Sequence, residues 1–103
     1  MLQLMVLYPH PADEQQFETA YTKHLALFHE KTGIPVTEKP YTLTKFLPGP
    51  MGSSPFYRMF SMPFESAEAL QAVLSSAGMQ EVAADANLIS TGGTPVILVG
   101  TEG

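Results

Sequence analysis

The chain has 103 residues, 45% of them hydrophobic and 15% charged, which is the composition of one globular domain spanning residues 1–103. The formal net charge is −5 and the five lysines and arginines form no cluster, which argues against binding to nucleic acid or to an anionic membrane surface. There is no cysteine, which excludes disulfides, zinc–thiolate sites and a cysteine nucleophile.

The first predicted element is a buried strand. Residues 2–8 are apolar with Gln3 as their one polar member, a pattern typical of a strand inside a sheet. The opening residues MLQLMVLYP have no basic region and are too short to cross a bilayer, so they predict neither a signal peptide nor a membrane anchor. We therefore expect a cytoplasmic protein.

The first helix is predicted from the signals at its two ends. Asp13 is a suitable N-cap, with Gln16 three positions later completing a pair that resembles a capping box. The helix is expected to run to about Lys31, because Gly33 and Pro35 are stop signals.

One side of this helix is apolar except for a histidine. At about 100° per residue, Phe17, Tyr21, His24 and Phe28 fall within one narrow stripe. His24 is then either a core residue satisfied by a backbone carbonyl or a tyrosine hydroxyl, or a group that lines a cavity between helix and sheet. The spacing alone favours the core residue, because a single buried histidine is commonly structural.

The remainder of the chain predicts three more strands and a second helical region. Ser66 is a suitable N-cap for that region, and Gly78 either ends or kinks its first helix. The predicted elements are, in order, a long strand at Val36–Leu47, an exposed loop at residues 48–55, a strand at Phe56–Phe64, a helix after Ser66, a short helical piece at Met79–Ala86, a turn at residues 90–94 and a last strand at Pro95–Thr101.

The order of these elements is βαββαβ. With right-handed crossovers it predicts an α+β fold, a ferredoxin-like subunit whose four-stranded antiparallel sheet carries both helices on one face. The uncovered face should then be polar, but the strands are apolar on both sides. Met5 and Leu7 in the first strand and the run Pro-Val-Ile-Leu-Val in the last strand are examples. We expect this face to be buried in a homodimer, sheet against sheet.

Three segments of the sequence resemble the EthD family of the dimeric α+β barrel superfamily. They are Leu7-Tyr8-Pro9 at the end of the first strand, the helix segment with Tyr21, Lys23, His24, Leu25 and Leu27, and the tail Phe64–Leu70 followed by Ala84-Asp85 and Gly92-Gly93. Two positions depart from the family pattern. Leu88 stands where the family usually has an aromatic residue, and Leu25-Ala26 stands where it often has Met-Pro.

The resemblance implies a homodimeric barrel with a small-molecule cavity in each subunit. Its founding member looks to be an accessory protein of bacterial ether degradation, and distant relatives include cofactor-free lactone isomerases, polyketide cyclases and quinone-forming monooxygenases. In several of them a histidine of the first helix lines the cavity and transfers protons. This implication favours a cavity-lining role for His24 over the alternative that it is a structural core residue. Some relatives of the barrel bind haem through a histidine, but no local feature here favours it, and we expect no cofactor.

Tyrosines are candidate partners of His24, since a phenol can orient an imidazole or stabilise an oxyanion. We select Tyr41 as the second catalytic residue because it faces inward if Leu43 and Leu47 do. Each tyrosine has an alternative as a half-buried structural residue. The candidates for substrate binding are Tyr8, Tyr21, Tyr57, Arg58 and Asp85.

Arg58 and Asp85 each have a structural alternative, which the sequence favours. Arg58 could hold a carboxylate ligand or pair with Glu38 of a neighbouring strand, and Asp85 could pair with His24 or cap the turn around Asn87. His10 and His29 are expected at the surface. No metal site is expected, because the three histidines lack ligand spacing.

These features leave three hypotheses. The first is a cofactor-independent enzyme in which His24 removes or relays a proton next to a carbonyl, and the second is a non-catalytic accessory protein that holds a hydrophobic metabolite. The third is a structural dimer whose cavity is filled by its own side chains.

Overall fold

The computed structural model describes residues 1–50 and 52–101, so Met51 of the predicted loop lies outside the described residues. Within them the elements are β1 (Leu2–Pro9), α1 (Glu14–Thr32), β2 (Thr42–Lys45), β3 (Phe56–Phe64), α2 (Ala67–Leu74), α3 (Ala77–Ile89) and β4 (Val96–Thr101). The strands form one antiparallel sheet in the order β2-β3-β1-β4. The predicted ferredoxin-like α+β fold is confirmed.

Helix α1 forms where its end signals predict it. The Asp13 carboxylate accepts a hydrogen bond of 3.0 Å from the backbone N–H of Gln16. Gly33 ends the helix in the left-handed region at φ 75°, a conformation that glycine adopts without steric cost. The predicted stripe is buried against the sheet, and it consists of Phe17, Tyr21, His24 and Phe28.

The core lies between the helices and one face of the sheet, here called the helix side. Leu4 and Tyr8 of β1 are buried on this side next to Met62 and Phe60 of β3. A β-bulge follows, because Tyr8 pairs with Arg58 while Pro9 pairs with Phe56. The extra residue, Tyr57, is therefore also buried.

Strand β2 is much shorter than predicted, four residues at Thr42–Lys45 instead of the expected Val36–Leu47. Residues 36–41 instead form a turn and an irregular stretch, in which the N–H of Glu38 bonds to the carbonyl of Pro35 at 2.9 Å. Pro40 offers no N–H for a sheet ladder. The Thr, Tyr and Val residues of this stretch therefore predicted a strand that is too long.

The second helical region is broken earlier than predicted, at Ser75 and Ser76. Ser76 caps α3, and its hydroxyl accepts from the N–H of Met79 at 3.2 Å. Gly78 therefore neither ends nor kinks α2; it lies in the first turn of α3. A Cβ at Gly78 would lie 2.8 Å from the carbonyl oxygen of Lys31, so glycine permits the close approach of α3 to α1.

The opposite face of the sheet, here called the open face, carries an apolar patch. Its strand positions are Met5 and Leu7 of β1, Met59 of β3, and Val96 and Leu98 of β4. Ser61 and Gln3, joined by a hydrogen bond of 2.9 Å, and Thr42 and Thr44 of β2 are polar residues on the same face. The predicted apolar character of the uncovered face is thus observed.

Strand β4 is exposed on both sides. On the helix side, Ile97 is 54% exposed and Val99 is 52% exposed, because α3 packs against α1 and leaves this edge strand uncovered. The gap between α3 and β4 positions the site described next.

Candidate functional site

An apolar cavity of about 110 Å³ lies between the helices and the helix side of the sheet. It opens where Gln80 and Ala83 of α3 face Ile97 of β4, since all three residues are exposed. Its lining consists of Leu4, Val6, Tyr8, His24, Leu25, Phe28, Phe60, Leu74, Met79, Gln80, Val82, Ala83, Ala86 and Ile97.

His24 supplies an imidazole to the cavity wall. Its place in the α1 stripe buries the residue to 6% exposure. Its Nδ1 lies 2.7 Å from Oδ2 of Asp85. A carboxylate only accepts hydrogen bonds, so the network assigns the hydrogen of the neutral ring to Nδ1. Nε2 makes no hydrogen bond with any residue in the described part of the chain, and it is left as the free acceptor of the ring.

Asp85 reaches His24 from the interior of α3. It is flanked by Val82, Ala86 and Ile89, which bury the apolar side of that helix, and its own side chain keeps 30% exposure. The predicted capping role is wrong, because the residue lies within the helix. The alternative pairing with His24 is the one observed.

Tyr8 also lines the cavity and is 1% exposed. Burial, with smaller effects from Tyr21 and Asp85, raises the pKa of its phenol well above the ordinary value of 10.0. Tyr8 therefore stays protonated throughout the neutral range. Its ring packs edge-to-face against Tyr21 at 5.4 Å between centroids.

Tyr21 supports the imidazole without lining the cavity. Its ring is stacked with that of His24 at 6.2 Å and an angle of 12°. The guanidinium of Arg58 lies 5.7 Å from the Tyr21 ring centroid. The buried hydroxyl of Tyr21 has no hydrogen-bond partner among the residues described.

Tyr57 and Arg58 belong to a separate polar cluster, and neither lines the cavity. Both bind Glu18 of α1: the Tyr57 hydroxyl donates to Oε1 at 2.7 Å, and Nη2 of Arg58 lies 2.9 and 2.8 Å from the two carboxylate oxygens. The predicted pairing of Arg58 with Glu38 is wrong. Glu18 was missed because its helical position gave no signal that it faces β3.

Tyr41 is buried but is not brought to His24. Its hydroxyl lies 2.8 Å from Nε2 of His29, whose Nδ1 lies 3.0 Å from the carbonyl oxygen of Ile34. The carbonyl requires a hydrogen on Nδ1, so Tyr41 donates to Nε2 of the neutral ring. The surface location predicted for His29 is wrong, since the residue is 7% exposed. His10 is exposed, as predicted.

The arrangement can accept a proton at Nε2 of His24 in a largely apolar environment. The Asp85 carboxylate then compensates the charge of the imidazolium. Among residues 1–50 and 52–101, no three His, Asp or Glu side chains converge as metal ligands. No helix in the same residues is long and apolar enough to span a membrane.

Comparison with known structures gives full-length matches. A crystal structure of an ethyl tert-butyl ether D (EthD) family protein from Bacillus halodurans C-125 has a TM-score of 0.83 and 28% sequence identity, and the match covers 99% of this chain and 98% of that one. No protein-family model and no curated protein matches the sequence. The resemblance to the EthD family is confirmed over the whole chain.

Two more distant structures share the fold. A dimeric ferredoxin-like protein of unknown function from Jannaschia sp. CCS1 has a TM-score of 0.72 and 10% identity, with 99% of this chain and 100% of that chain covered. A dimeric protein of unknown function and ferredoxin-like fold from Bacteroides fragilis NCTC 9343 has a TM-score of 0.63 and 7% identity, with 96% and 93% covered.

Proposed function

We propose that this chain is an EthD-like, cofactor-independent protein that binds a small hydrophobic metabolite in the cavity and transfers a proton at His24. One observation carries the proposal: a buried imidazole lines an apolar cavity, its Nδ1 is held by a carboxylate and its Nε2 is free of hydrogen bonds among the described residues. A purely structural histidine would be expected to use both nitrogens, as His29 does.

The chemistry is general base catalysis next to a carbonyl group. Nε2 of His24 takes a proton from the carbon α to the carbonyl, and the electron pair of the C–H bond forms the enolate. Asp85 stabilises the imidazolium, which can return the proton to another carbon of the ligand. Isomerase, cyclase and cofactor-free oxygenase reactions all include such a step.

The oxyanion of the enolate needs a hydrogen-bond donor, and Tyr8 is the phenol that lines the cavity. Tyr8 is protonated at neutral pH, which supports this role. Tyr41 bonds to His29 and does not line the cavity, so it has no catalytic role in this mechanism. Tyr57 and Arg58 fix α1 on the sheet through Glu18 and do not line the cavity, so neither is proposed to contact the substrate.

A non-catalytic accessory role is the second candidate. It is favoured by the lining itself, in which every residue other than Tyr8, His24 and Gln80 is apolar. Such a lining is sufficient to hold a hydrophobic metabolite without any reaction. The two candidates differ in whether His24 exchanges protons with the bound molecule.

Hydrogen exchange separates these candidates. Cyclohexanone in D2O is incubated with the protein, and NMR follows both the loss of its α-hydrogen signal and the shifts of cavity residues. We expect the wild-type protein to accelerate exchange, His24→Gln to abolish the acceleration and the exposed-histidine control His10→Gln to retain it. Binding without acceleration would establish the accessory role, whereas neither binding nor exchange would contradict both candidates.

We also propose that the protein is a cytoplasmic homodimer formed through the open face. The apolar side chains of that face would otherwise remain in water, and the two distant structural neighbours are described as dimeric. Sedimentation of two matched variants tests the surface. Leu98→Lys on the open face should give monomers, whereas Val99→Lys, on the helix side of the same strand, should leave the dimer intact. The reverse pattern would contradict the assigned face.

A further inference from the structure

The cavity lacks fixed charge. Its polar lining groups are Tyr8, His24 and Gln80, and among the described residues no Lys, Arg, Asp or Glu side chain lines it. The chain has only five lysines and arginines, and the best placed of them, Arg58, is held by Glu18. A ligand that enters this cavity therefore meets the free Nε2 of His24, the Tyr8 hydroxyl and the Gln80 amide, which are neutral polar groups in otherwise apolar surroundings.

Such a cavity discriminates against ligands with a permanent charge. A carboxylate or phosphate would lose its hydration without gaining a cation, and this costs several kcal/mol or more. Asp85, at 2.7 Å from His24, adds repulsion against a second anion. A permanent cation is equally disfavoured, because the Asp85 carboxylate is already bonded to Nδ1 and is not part of the lining.

A neutral weak acid avoids both costs. It enters uncharged, and its O–H or C–H bond then breaks as Nε2 forms an N–H bond and the electron pair stays on the ligand. The products are a ligand anion and an imidazolium that lies between that anion and the Asp85 carboxylate. No charge has crossed the apolar entrance, and the new hydrogen bond is charge-assisted.

The size of the cavity limits the ligand to about one ring. Its volume of about 110 Å³ is comparable with the roughly 150 Å³ of an engineered apolar cavity that binds benzene in another protein. Substituents can extend through the entrance beside Gln80, Ala83 and Ile97, which are exposed. A single six-membered ring with short substituents fits this description.

We infer that the ligand is a neutral, weakly acidic single-ring compound, a phenol or a cyclic enol, which binds as its anion with its proton on Nε2 of His24. This inference rests on the proposed function, since it names the ligand class of the same cavity. It excludes ring carboxylates and ring phosphates as ligands.

Three single-ring nitro compounds test the class: para-nitrophenol, nitrobenzene and para-nitrobenzoate. The pH is set low enough for free para-nitrophenol to be mostly neutral, and the visible absorption band of the nitrophenolate reports ionisation on binding. We expect that band to grow with added wild-type protein. We also expect an affinity for para-nitrophenol about tenfold above that for nitrobenzene, and no binding of para-nitrobenzoate.

Other ionisable groups around the ring do not complicate this readout. Tyr21 of α1 is stacked with it and Tyr8 of β1 lines the same cavity, and burial raises the pKa of both phenols far above the pH of the experiment. Asp85 of α3 is the ionisable group that bonds to the ring among the described residues. His24→Gln should lose the growth of the nitrophenolate band.

The wild-type comparison alone can overturn the inference, whether or not the variant folds. Binding of para-nitrophenol in its neutral form, with the same affinity as nitrobenzene, would refute the ligand class and leave the binding function standing. Tighter binding of para-nitrobenzoate would also refute it. If none of the three probes binds, the cavity does not accept a ring, and the proposed binding function falls together with the inference.

Discussion

His24 and Asp85 are separated by 61 positions in the chain, and their side chains meet at 2.7 Å between Nδ1 and Oδ2. Helix α1 supplies the ring and α3 supplies the carboxylate, so the pair depends on how closely these helices approach. Gly78 permits that approach, because any side chain there would press on the backbone of Lys31. The pairing is thus a tertiary feature that fixes which ring nitrogen remains available.

Replacing Asp85 by asparagine should allow the neutral His24 ring to adopt both tautomers. A carboxylate only accepts, whereas an amide can accept from Nδ1–H through its oxygen or donate to a bare Nδ1 through its nitrogen. We expect the neutral wild-type ring to carry its hydrogen on Nδ1 alone, and the neutral ring of Asp85→Asn to be a mixture of both tautomers. Long-range ¹H–¹⁵N NMR of the histidine rings distinguishes these states.

Glu81→Gln is the matched control for this experiment. It removes a carboxylate from the same helix at an exposed position, where the carboxylate pairs with Lys31 at 2.7 Å. The His24 ring should keep its wild-type tautomer in this variant. A wild-type ring with its hydrogen on Nε2 would contradict the assigned network.

Local sequence signals were sufficient for most of the fold. The two ends of α1 and the bounds of β3 were predictable because capping residues, a left-handed glycine and dense β-forming residues act within a few positions. Strand β2 was overestimated for a related reason. Its sequence favours extended backbone, but a strand also needs a paired neighbour, and Pro35 and Pro40 restrict where that pairing begins.

The candidate site could be predicted only in part. His24 was identified because an imidazole interrupts an apolar stripe, which is a periodic pattern along one helix. Tyr41 was assigned by strand alternation; it is buried as that pattern predicts, but its hydroxyl bonds to His29 and is not brought to His24. The partners Asp85 of His24 and Glu18 of Arg58 come from other elements, and their distances follow from packing that a single sequence does not reveal.

Tyr41→Phe should destabilise the protein by about 1–2 kcal/mol, because it leaves Nε2 of the buried His29 without a donor. The aromatic contact of residue 41 with Phe28, at 5.4 Å between centroids, would be retained. Urea denaturation of both proteins at the same concentration gives the difference in the free energy of unfolding.

Tyr21→Phe is the control, since it removes a buried hydroxyl that has no hydrogen-bond partner among the described residues. Its free energy of unfolding should match or slightly exceed that of the wild-type protein. A larger loss in Tyr21→Phe than in Tyr41→Phe would mean that the Tyr21 hydroxyl is satisfied and the His29 contact is not important for stability.

Glu18→Gln should destabilise the protein at neutral pH and have little effect in acid. Burial acts to raise the pKa of Glu18, but hydrogen bonds from Tyr57 and Arg58 outweigh this effect and hold the pKa below its ordinary value of 4.5. A carboxyl with a lowered pKa contributes stability that is present above pH 4.5 and is lost as pH falls through the lowered value. Because Glu18 is 35% exposed, solvent screening reduces the effect at pH 7 to about 1 kcal/mol.

Urea denaturation at several pH values measures this loss. Glu30→Gln removes an exposed carboxylate from the same helix and should change the free energy of unfolding far less. A Glu18→Gln difference that stays constant from neutral pH down to strong acid would show that packing, and not the charge of Glu18, is responsible.

Gly92→Ala should destabilise the protein by about 3 kcal/mol or more. Gly92 lies in the turn between α3 and β4, which packs against the end of β1, and a Cβ there would overlap the carbonyl oxygen of His10 and lie 2.6 Å from its carbonyl carbon. Both atoms belong to the backbone, so the turn or the end of β1 must move.

Gly49→Ala is the control, because a Cβ at Gly49 meets no atom within 4 Å. Urea denaturation of the two variants should give a large loss for Gly92→Ala and a near-wild-type value for Gly49→Ala; equal stabilities would mean that the turn does not pack on β1 as described.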